Sequence, residues 1–492
     1  MDCEEIKQVS TTPAAADPIR WRILGLMLVS VFMSLMSVSI MNVALPSIQA
    51  GLGATHTDIQ WVLSGYTLVF GAFLVPAGRA GDIFGRAGLF LIGLTVFLSG
   101  STAAGLAPSP NFLVAARLLQ GMGAGLMNPQ LIGMIQYYFT GKERGRAFGF
   151  FGSTVGIAVA IGPVLGGFLI GLGGEDLGWR LTMFVNLPIG MIVLLLGLLW
   201  FPRPLASADP VRAADGSYKI SSVIRSLDPV GVVLLTSAVL LFLLPFVESK
   251  EGLWVWLLLV VSLLLLAGFV RWERSYKASG HAPMVDLDVL AVSSFRNGAA
   301  LSSLYFMGIT SIWVIVAMYF QQGLGYSALV AGSVGIPAAL ASSVSADWAG
   351  RRVIDLGRPL VVGGMLVATT GMILSILVII GEHRGMVSEW WLVGTLGVVG
   401  IGQGSVISPN QTLSLADVPQ NYAGSSGAVL QVGQRIGTAI GLAMITAALF
   451  ALLEHVDWPM AVAGGFGIIV VIMLSATSIG VHDVRQRRAA AD

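Results

Sequence analysis

The chain is poor in cysteine, in charge and, within its apolar stretches, in acid. Its 492 residues hold one cysteine, Cys3. That excludes an intrachain disulfide and a thiolate metal cluster. Only 11% of the residues are charged, against about a quarter in soluble domains. With 55% hydrophobic residues and a mean hydropathy of +0.83, the chain falls outside the soluble globular class and reads as an all-α polytopic membrane protein. A net charge of +1 offers no electrostatic footprint for nucleic acid. There is no His-Glu-x-x-His, no pair of intramembrane aspartates and no nucleotide-binding loop. No enzyme activity, ATP-driven step, metal or cofactor is therefore expected.

A helix needs about 20 apolar residues to cross the hydrocarbon. Fourteen stretches qualify: Ile23–Leu45, Trp61–Pro76, Ala87–Leu106, Phe112–Gln130, Ala147–Ile170, Leu181–Trp200, Val230–Phe246, Trp254–Val270, Ala299–Phe320, Val330–Val344, Leu360–Ile380, Trp391–Leu413, Gly427–Leu452 and Met460–Ile479. Placing both termini in the cytoplasm leaves three Lys or Arg outside (Arg180, Lys250, Arg384), two within spans (Arg117, Arg435) and 22 on the cytoplasmic side, as the positive-inside rule requires. The implied organisation is a disordered tail over 1–22, a six-helix bundle over 23–200, and a second bundle over 299–480. A linker over 201–298 carries two extra helices (about 230–246 and 254–270), and a basic tail spans 481–492. Trp272 to Arg296 is expected to form a short amphipathic stretch.

Three motifs interrupt this apolar background. Gly78-Arg79-Ala-Gly-Asp82-Ile-Phe-Gly85-Arg86 is a charged, glycine-rich turn, and Gly350-Arg351-Arg-Val-Ile-Asp355-Leu-Gly357-Arg358 repeats its glycine and arginine spacing. Two copies of one turn point to a duplicated helical bundle, an architecture common among transporters. Arg117 lies inside a span, where a charge costs several kcal/mol unless it is paired or faces water; the reading is an arginine on an aqueous cavity. Gly152, Gly156, Gly162, Gly166 and Gly167 give small-xxx-small spacing for close helix packing. Pro163 bends the helix they lie on and frees a carbonyl.

With these residues the chain resembles the major facilitator superfamily, and within it the fourteen-helix drug:proton antiporter group. Gly78–Arg86 matches that family's signature between its second and third helices. Arg117 with Gln120 and Gly121 matches the fourth-helix signature. Gly156–Gly167, with Gly162, Pro163 and Gly166, matches the antiporter signature of the fifth. Gly178-Trp179-Arg180 with Phe184-Val-Asn186-Leu-Pro188-Ile-Gly190, and Asn42-Val-Ala-Leu-Pro46 with Trp61 and Tyr66, match further patterns. The resemblance implies two pseudo-symmetric six-helix bundles plus two central helices. It also implies a proton-driven exporter of drugs, antibiotics or secondary metabolites in the plasma membrane, acting as a monomer by alternating access. A uniporter, or a lipid or metabolite carrier of the same fold, is the alternative.

One departure stands out. The family's first helix carries an Asp five residues before the Asn of Asn42-Val-Ala-Leu-Pro46, and here that position is Ser37. No Asp or Glu lies well inside any span, and all five histidines fall in loops or the tail. Candidates for proton coupling are Asp82, Asp228, Glu248 and Asp347, with Asp82 acting beside Arg117 the favoured choice. A cavity with Arg117 and Arg435 and no carboxylate favours neutral or anionic hydrophobic cargo over cations. Candidates for its wall are Ser37, Asn42, Tyr66, Gln120, Asn128, Trp313, Gln403, Asn410, Gln431, Gln434 and Arg435.

Overall fold

The computed structural model describes residues 18–205, 227–247, 252–281, 283–419 and 422–489. Cys3, Glu248, most of the stretch 201–227 and the side chain of Asn42 lie outside the described residues.

Glycine and proline set several of the helix boundaries. The first expected span breaks at Ile40 into α1 (Ile19–Ser39) and α2 (Met41–Leu52), the latter closed by Gly53 at φ 62°. Thr55 caps α3 (His56–Phe84) through a reciprocal capping box with Asp58. The sequence Gly78–Arg86 is not a loop. Helix α3 runs through Phe84 and α4 (Arg86–Gly105) starts at Arg86, so one residue, Gly85 at φ 102°, makes the whole turn. Only glycine takes that backbone without strain. Helix α5 spans Pro110–Tyr138. Helix α6 (Gly141–Phe184) holds the span expected over Ala147–Ile170 and the first turn of the next, the chain folding back at Gly174 (φ 67°), and α7 (Asn186–Trp200) carries the rest of that second span.

The extra pair is α8 (Pro229–Val247) and α9 (Leu257–Ala278). The stretch expected to be separate after Val270 is partly a continuation of α9, followed by a short 3₁₀ turn over Leu287–Ala291. The second half comprises α10 (Ser293–Met318), α11 (Ala328–Ser333), α12 (Ile336–Leu356), α13 (Arg358–His383), α14 (Trp391–Ser414), α15 (Ala423–Leu453) and α16 (Trp458–Ala489). The repeated motif behaves like the first: α12 passes to α13 through Gly357 alone, at φ 60°.

Among the described residues, twelve helical stretches are long and apolar enough to cross a membrane. Two of the fourteen expected spans, Phe112–Gln130 and Val330–Val344, are not among them. The physical reason lies in their surroundings. Helix α5 is lined with buried glycines and with Arg117, Gln120, Asn128, Gln130 and Gln136. Helix α12 buries Ser342, Ser345, Ala346 and Gly350. Helix α5 is mainly buried against its neighbours and needs little apolar surface, whereas α12 exposes Leu340, Val344 and Trp348 and owes its low hydropathy to those serines and to Asp347, Arg351, Arg352 and Asp355.

Helices α1–α7 pack around cores that include Met27, Phe90, Phe97, Leu131 and Trp179. Helices α10–α16 pack around Tyr305, Tyr319, Met365, Leu396 and Phe466. The two sets meet most closely along α6 and α12. A Cβ on Gly145 would lie 2.4 Å from the Gly350 carbonyl, one on Gly350 would lie 2.7 Å from Gly149 Cα, and one on Gly156 would lie 2.9 Å from the Ala339 carbonyl. The other side of α6 presses on α1 and α2, where a Cβ on Gly162 would sit 2.6 Å from Ser39. Pro163 cannot bond the carbonyl four residues back, Val159, and the Ser39 hydroxyl donates to that carbonyl at 3.0 Å. The carbonyl that Pro163 leaves free is thus satisfied by α1.

Arg20, at the start of α1, donates to the Tyr138 carbonyl and pairs with Glu143 at 2.8 Å. Asp483, near the end of α16, pairs with Arg358. Both described ends therefore lie on the face that carries Gly85 and Gly357, termed here the terminal face. At the opposite face Arg180 donates to the carbonyls of Gly105 (2.9 Å) and Ala107 (2.8 Å), satisfying the end of α4.

Gly350→Leu is expected to force α12 off α6 at the terminal face while leaving each helix set folded. In a Cys3→Ser background, thiol labelling of Gly152→Cys should rise when Gly350→Leu is added. Unchanged labelling would mean the α6–α12 seam tolerates a side chain there.

Candidate functional site

Polar groups gather at two levels. The first is the terminal face. Asp82, in the last turn of α3, accepts from Arg86 Nη2 at 2.8 Å and Nε at 3.2 Å. Arg86 also donates to the Gly133 carbonyl of α5 at 2.8 Å. The second Asp82 oxygen accepts from the backbone N–H of Ser425, 3.1 Å away in the first turn of α15. One carboxylate therefore joins the turn of the first half to a helix N-terminus of the second, where unsatisfied amides and the helix dipole favour an anion. Arg79 stacks 5.8 Å from the ring centre of Tyr422, just before α15. Gly81 allows the approach of α5, since a Cβ there would fall 1.8 Å from Gln130 Oε1.

The second copy is wired differently. Arg358 occupies the place of Arg86, but its acid is Asp483 of α16, at 2.7 Å, with both side chains at most 3% exposed. Arg358 also donates to Asn410, to the Ser294 carbonyl (2.8 Å) and to Ser414 (3.4 Å). Asp355 instead reaches across to Lys142 at the start of α6, at 2.8 Å, and Asp347 pairs with Arg351 at 2.7 Å. Each turn thus contacts the other half, one through a buried carboxylate on a helix start, the other through an exposed ion pair.

The second level lies inside the helices. Arg117 is 1% exposed. Its guanidinium lies 4.4 Å from the centre of the Tyr66 ring, and it donates to the Val62 carbonyl (3.2 Å) and to Gln120 Oε1 (2.5 Å). From the opposite half, Arg435 of α15 lies 4.6 Å from the centre of Phe70. The Tyr66 and Phe70 rings are 6.1 Å apart on α3, and both arginines act electrostatically on Tyr66. Two cations from the two halves therefore converge on one aromatic pair, with no acid paired to either among the described residues. Each cation–π contact offsets about 0.5–2 kcal/mol of the cost of burial.

Ser37, where an acid is expected, sits in a neutral relay. Asn186 donates to Ser37 Oγ (2.9 Å) and to Ser101 Oγ (3.0 Å), and Ser101 donates to the Met183 carbonyl (2.7 Å). Gln120 Nε2 donates to the same Ser101 oxygen at 3.2 Å. The relay runs from Ser37 through Asn186, Ser101 and Gln120 to Arg117. Neither Asn186 nor Ser101 is among the candidates drawn from sequence; the legible signal was an Asn within an apolar run, inside a motif already noted.

Other candidates divide. Tyr66 donates to the Ser34 carbonyl (3.0 Å), and Asn128 donates to Ser34 Oγ (3.4 Å) and to the Ala124 carbonyl (2.9 Å), which keeps both near the relay. Gln434 donates to Ser302 at 2.9 Å. Gln403, Gln431 and Trp313 are half-buried, Trp313 lying against Gly335. Asn410 is engaged at the terminal face, where it receives Arg358 and donates to the Gly298 carbonyl at 3.0 Å. Asp82 and Arg117 do not meet. Asp82 is spent on Arg86 and Ser425, while Arg117 reaches α3 at Val62, five and a half turns away along that helix by about 3.6 residues per turn.

Residues 27–442 match the family model described as Major Facilitator Superfamily. The chain belongs to the Major Facilitator Superfamily. Among its relatives is a protein named probable actinorhodin transporter from Streptomyces coelicolor, 34% identical over 88% of this chain and 73% of that one. Another is the puromycin resistance protein pur8 of Streptomyces alboniger, 31% identical over 94% and 90%. The riboflavin transporter RibZ of Clostridioides difficile is 27% identical over 87% and 88%. The superfamily fold is shared with the human organic anion transporter MFSD10, with a TM-score of 0.65 at 14% identity, covering 94% of this chain and all of that one. The proton:xylose symporter XylE gives a TM-score of 0.63 at 14% identity, covering 93% and 94%. The chain is thus a multi-span helical membrane transporter of this superfamily, with proteins named for puromycin resistance, multidrug resistance and tetracenomycin C resistance and export among its relatives.

The two copies of the turn predict different mutational costs. Asp483→Asn leaves Arg358 buried without its acid and should cost about 3–5 kcal/mol. Asp355→Asn removes an exposed pair and should cost under about 1 kcal/mol. Thermal unfolding of the purified variants in one detergent checks the order; equal shifts would contradict it.

Proposed function

We propose that this chain is a secondary active exporter of hydrophobic compounds, neutral or anionic, driven by the proton gradient through alternating access. The observation that carries the reading is the convergence of Arg117 and Arg435 on Tyr66 and Phe70, one cation from each half and no acid beside them. A flat apolar cargo gains stacking on the rings, and an anionic group on it would supply the missing counter-charge. A dication would meet two like charges. The relatives named for antibiotic transport or resistance support a drug, antibiotic or secondary metabolite as cargo.

In this reading the helices over 23–200 and 299–480 rock against each other about the α6–α12 seam. The chain crosses the plasma membrane fourteen times, with α5 and the α11–α12 pair added to the twelve more apolar stretches. It works as a monomer with both termini and the terminal face in the cytoplasm. The structure then corresponds to a state latched on the cytoplasmic side by Asp82–Ser425, Lys142–Asp355 and the hydrogen bond from Ser153 to the Ser343 carbonyl at 2.6 Å. Opening inward breaks the latch and delivers cargo to the arginine pair.

A second reading, a uniporter or metabolite carrier, is favoured by Ser37 standing where the family has an acid and by the riboflavin transporter among the relatives. The two readings differ in proteoliposomes. A proton-driven exporter loses uphill transport when the pH gradient is collapsed, and Asp82→Asn should impair it by at least about tenfold, equivalent to about 1.4 kcal/mol. A uniporter is indifferent to the gradient.

Cargo charge is tested with matched dyes. An anionic hydrophobic dye should be exported, and Arg117→Ala should weaken its apparent affinity by about tenfold or more. A lipophilic dication should be transported poorly. Robust efflux of such a dication by the purified protein would sink the charge assignment.

A further inference from the structure

The extra helices hold a buried acid pair that the arginine site does not use. Asp228 stands immediately before α8 and Glu273 lies near the end of α9, 0% and 1% exposed. Asp228 Oδ1 accepts from the Trp272 indole at 2.7 Å and from the Gly231 N–H at 3.0 Å. Glu273 Oε1 accepts from the Val285 N–H at 3.3 Å. All these donors fall on one oxygen of each carboxyl. The other two, Asp228 Oδ2 and Glu273 Oε2, are buried with no hydrogen-bond partner. The carboxyls crowd one spot, since a Cβ on Gly231 would lie 2.2 Å from Asp228 Oδ2 and 3.1 Å from Glu273 Oε1.

The charged groups around the pair come from several elements. Arg79 of α3, within the Gly78–Arg86 motif, is a cation that favours ionised Glu273 against the larger effect of burial, and it also stacks on Tyr422 of the other half. On the 3₁₀ side, Asp286 and Asp288 are held by Lys277 at 2.7 and 2.5 Å.

A buried carboxylate oxygen without a donor is costly, and a second carboxylate at the same desolvated spot adds to the cost of ionising both. One proton answers both problems. It forms an O–H bond on one carboxyl, lowers the charge of the pair by one, and turns an unpartnered oxygen into a donor.

We propose that Asp228 and Glu273 form a proton-binding site at the terminal face, holding one shared proton beside Arg79. This gives a transporter without an acid at position 37 a titratable site on its extra helices. The site is connected through Arg79 to the latch between the halves. Its role in transport rests on the proton-driven reading above; the proton itself does not.

Infrared spectroscopy of the purified full-length protein tests the site directly. The wild type should show a protonated-carboxyl C=O band at neutral pH. That band should be lost or shifted in frequency in Asp228→Asn and in Glu273→Gln, because each variant removes one of the two carboxyls that share the proton while burial still acts on the other. An absent band, a band unchanged in either variant, or one abolished by sodium or calcium ions at constant pH would overturn the proposal. Should either variant fail to fold, Trp272→Phe keeps both carboxyls and removes one donor. It should move the pH at which the band vanishes by a factor of ten or more in proton concentration, and an unmoved midpoint counts against the site. In proteoliposomes, Asp228→Asn should lose gradient-driven efflux and keep cargo exchange. If the wild type itself ignores the gradient while the band persists, the proton-driven reading fails and the site stands.

Discussion

Arg86 starts α4 with its guanidinium held between Asp82, one turn back, and the Gly133 carbonyl of α5. That arrangement states the constraint on which the rest of this molecule depends. A charge set among apolar helices costs several kcal/mol unless protein groups meet it, so each buried arginine fixes the helices that serve it. Arg86 ties α3, α4 and α5 together. Arg358 ties α10, α13, α14 and α16. Because Asp82 has a second oxygen, the same pair also reaches the start of α15 and joins the halves.

Close packing follows from the same economy. With few charges to hold them, the helices rely on glycine for contact. The α6–α12 seam places Gly145, Gly149, Gly152 and Gly156 against backbone and small side chains of α12. The opposite side of α6 places Gly162 and Gly166 against α1 and α2. One helix thus touches both halves, and the carbonyl that Pro163 leaves free within it is met by the Ser39 hydroxyl.

The interior site inverts the pattern. Arg117 and Arg435 are met by ring faces, an amide and a carbonyl in place of carboxylates. The relay from Ser37 to Gln120 is likewise neutral. Acids are kept at the helix ends, in Asp82, Asp228, Glu273 and Asp483. Cargo recognition and proton chemistry are in this view held at separate levels of the molecule.

The sequence by itself determined the membrane class and the duplicated turn, and marked Arg117 as a charge inside an apolar run, because hydropathy, glycine spacing and charge placement are local properties. It could not show that the turns are single glycines inside near-continuous helices, since helix-compatible residues such as Arg79–Phe84 serve a loop equally well. Nor could it show α5 as a largely buried helix, whose low hydropathy reflects protein neighbours. Partner choice was decided only by the tertiary structure. Asn410 serves Arg358, Asp355 crosses to Lys142, Asp82 lies far from Arg117, and Glu273 meets Asp228. The physical reason is that a buried polar group is satisfied by whichever group packing brings within hydrogen-bond reach, and residues remote in sequence reach one another only through the fold.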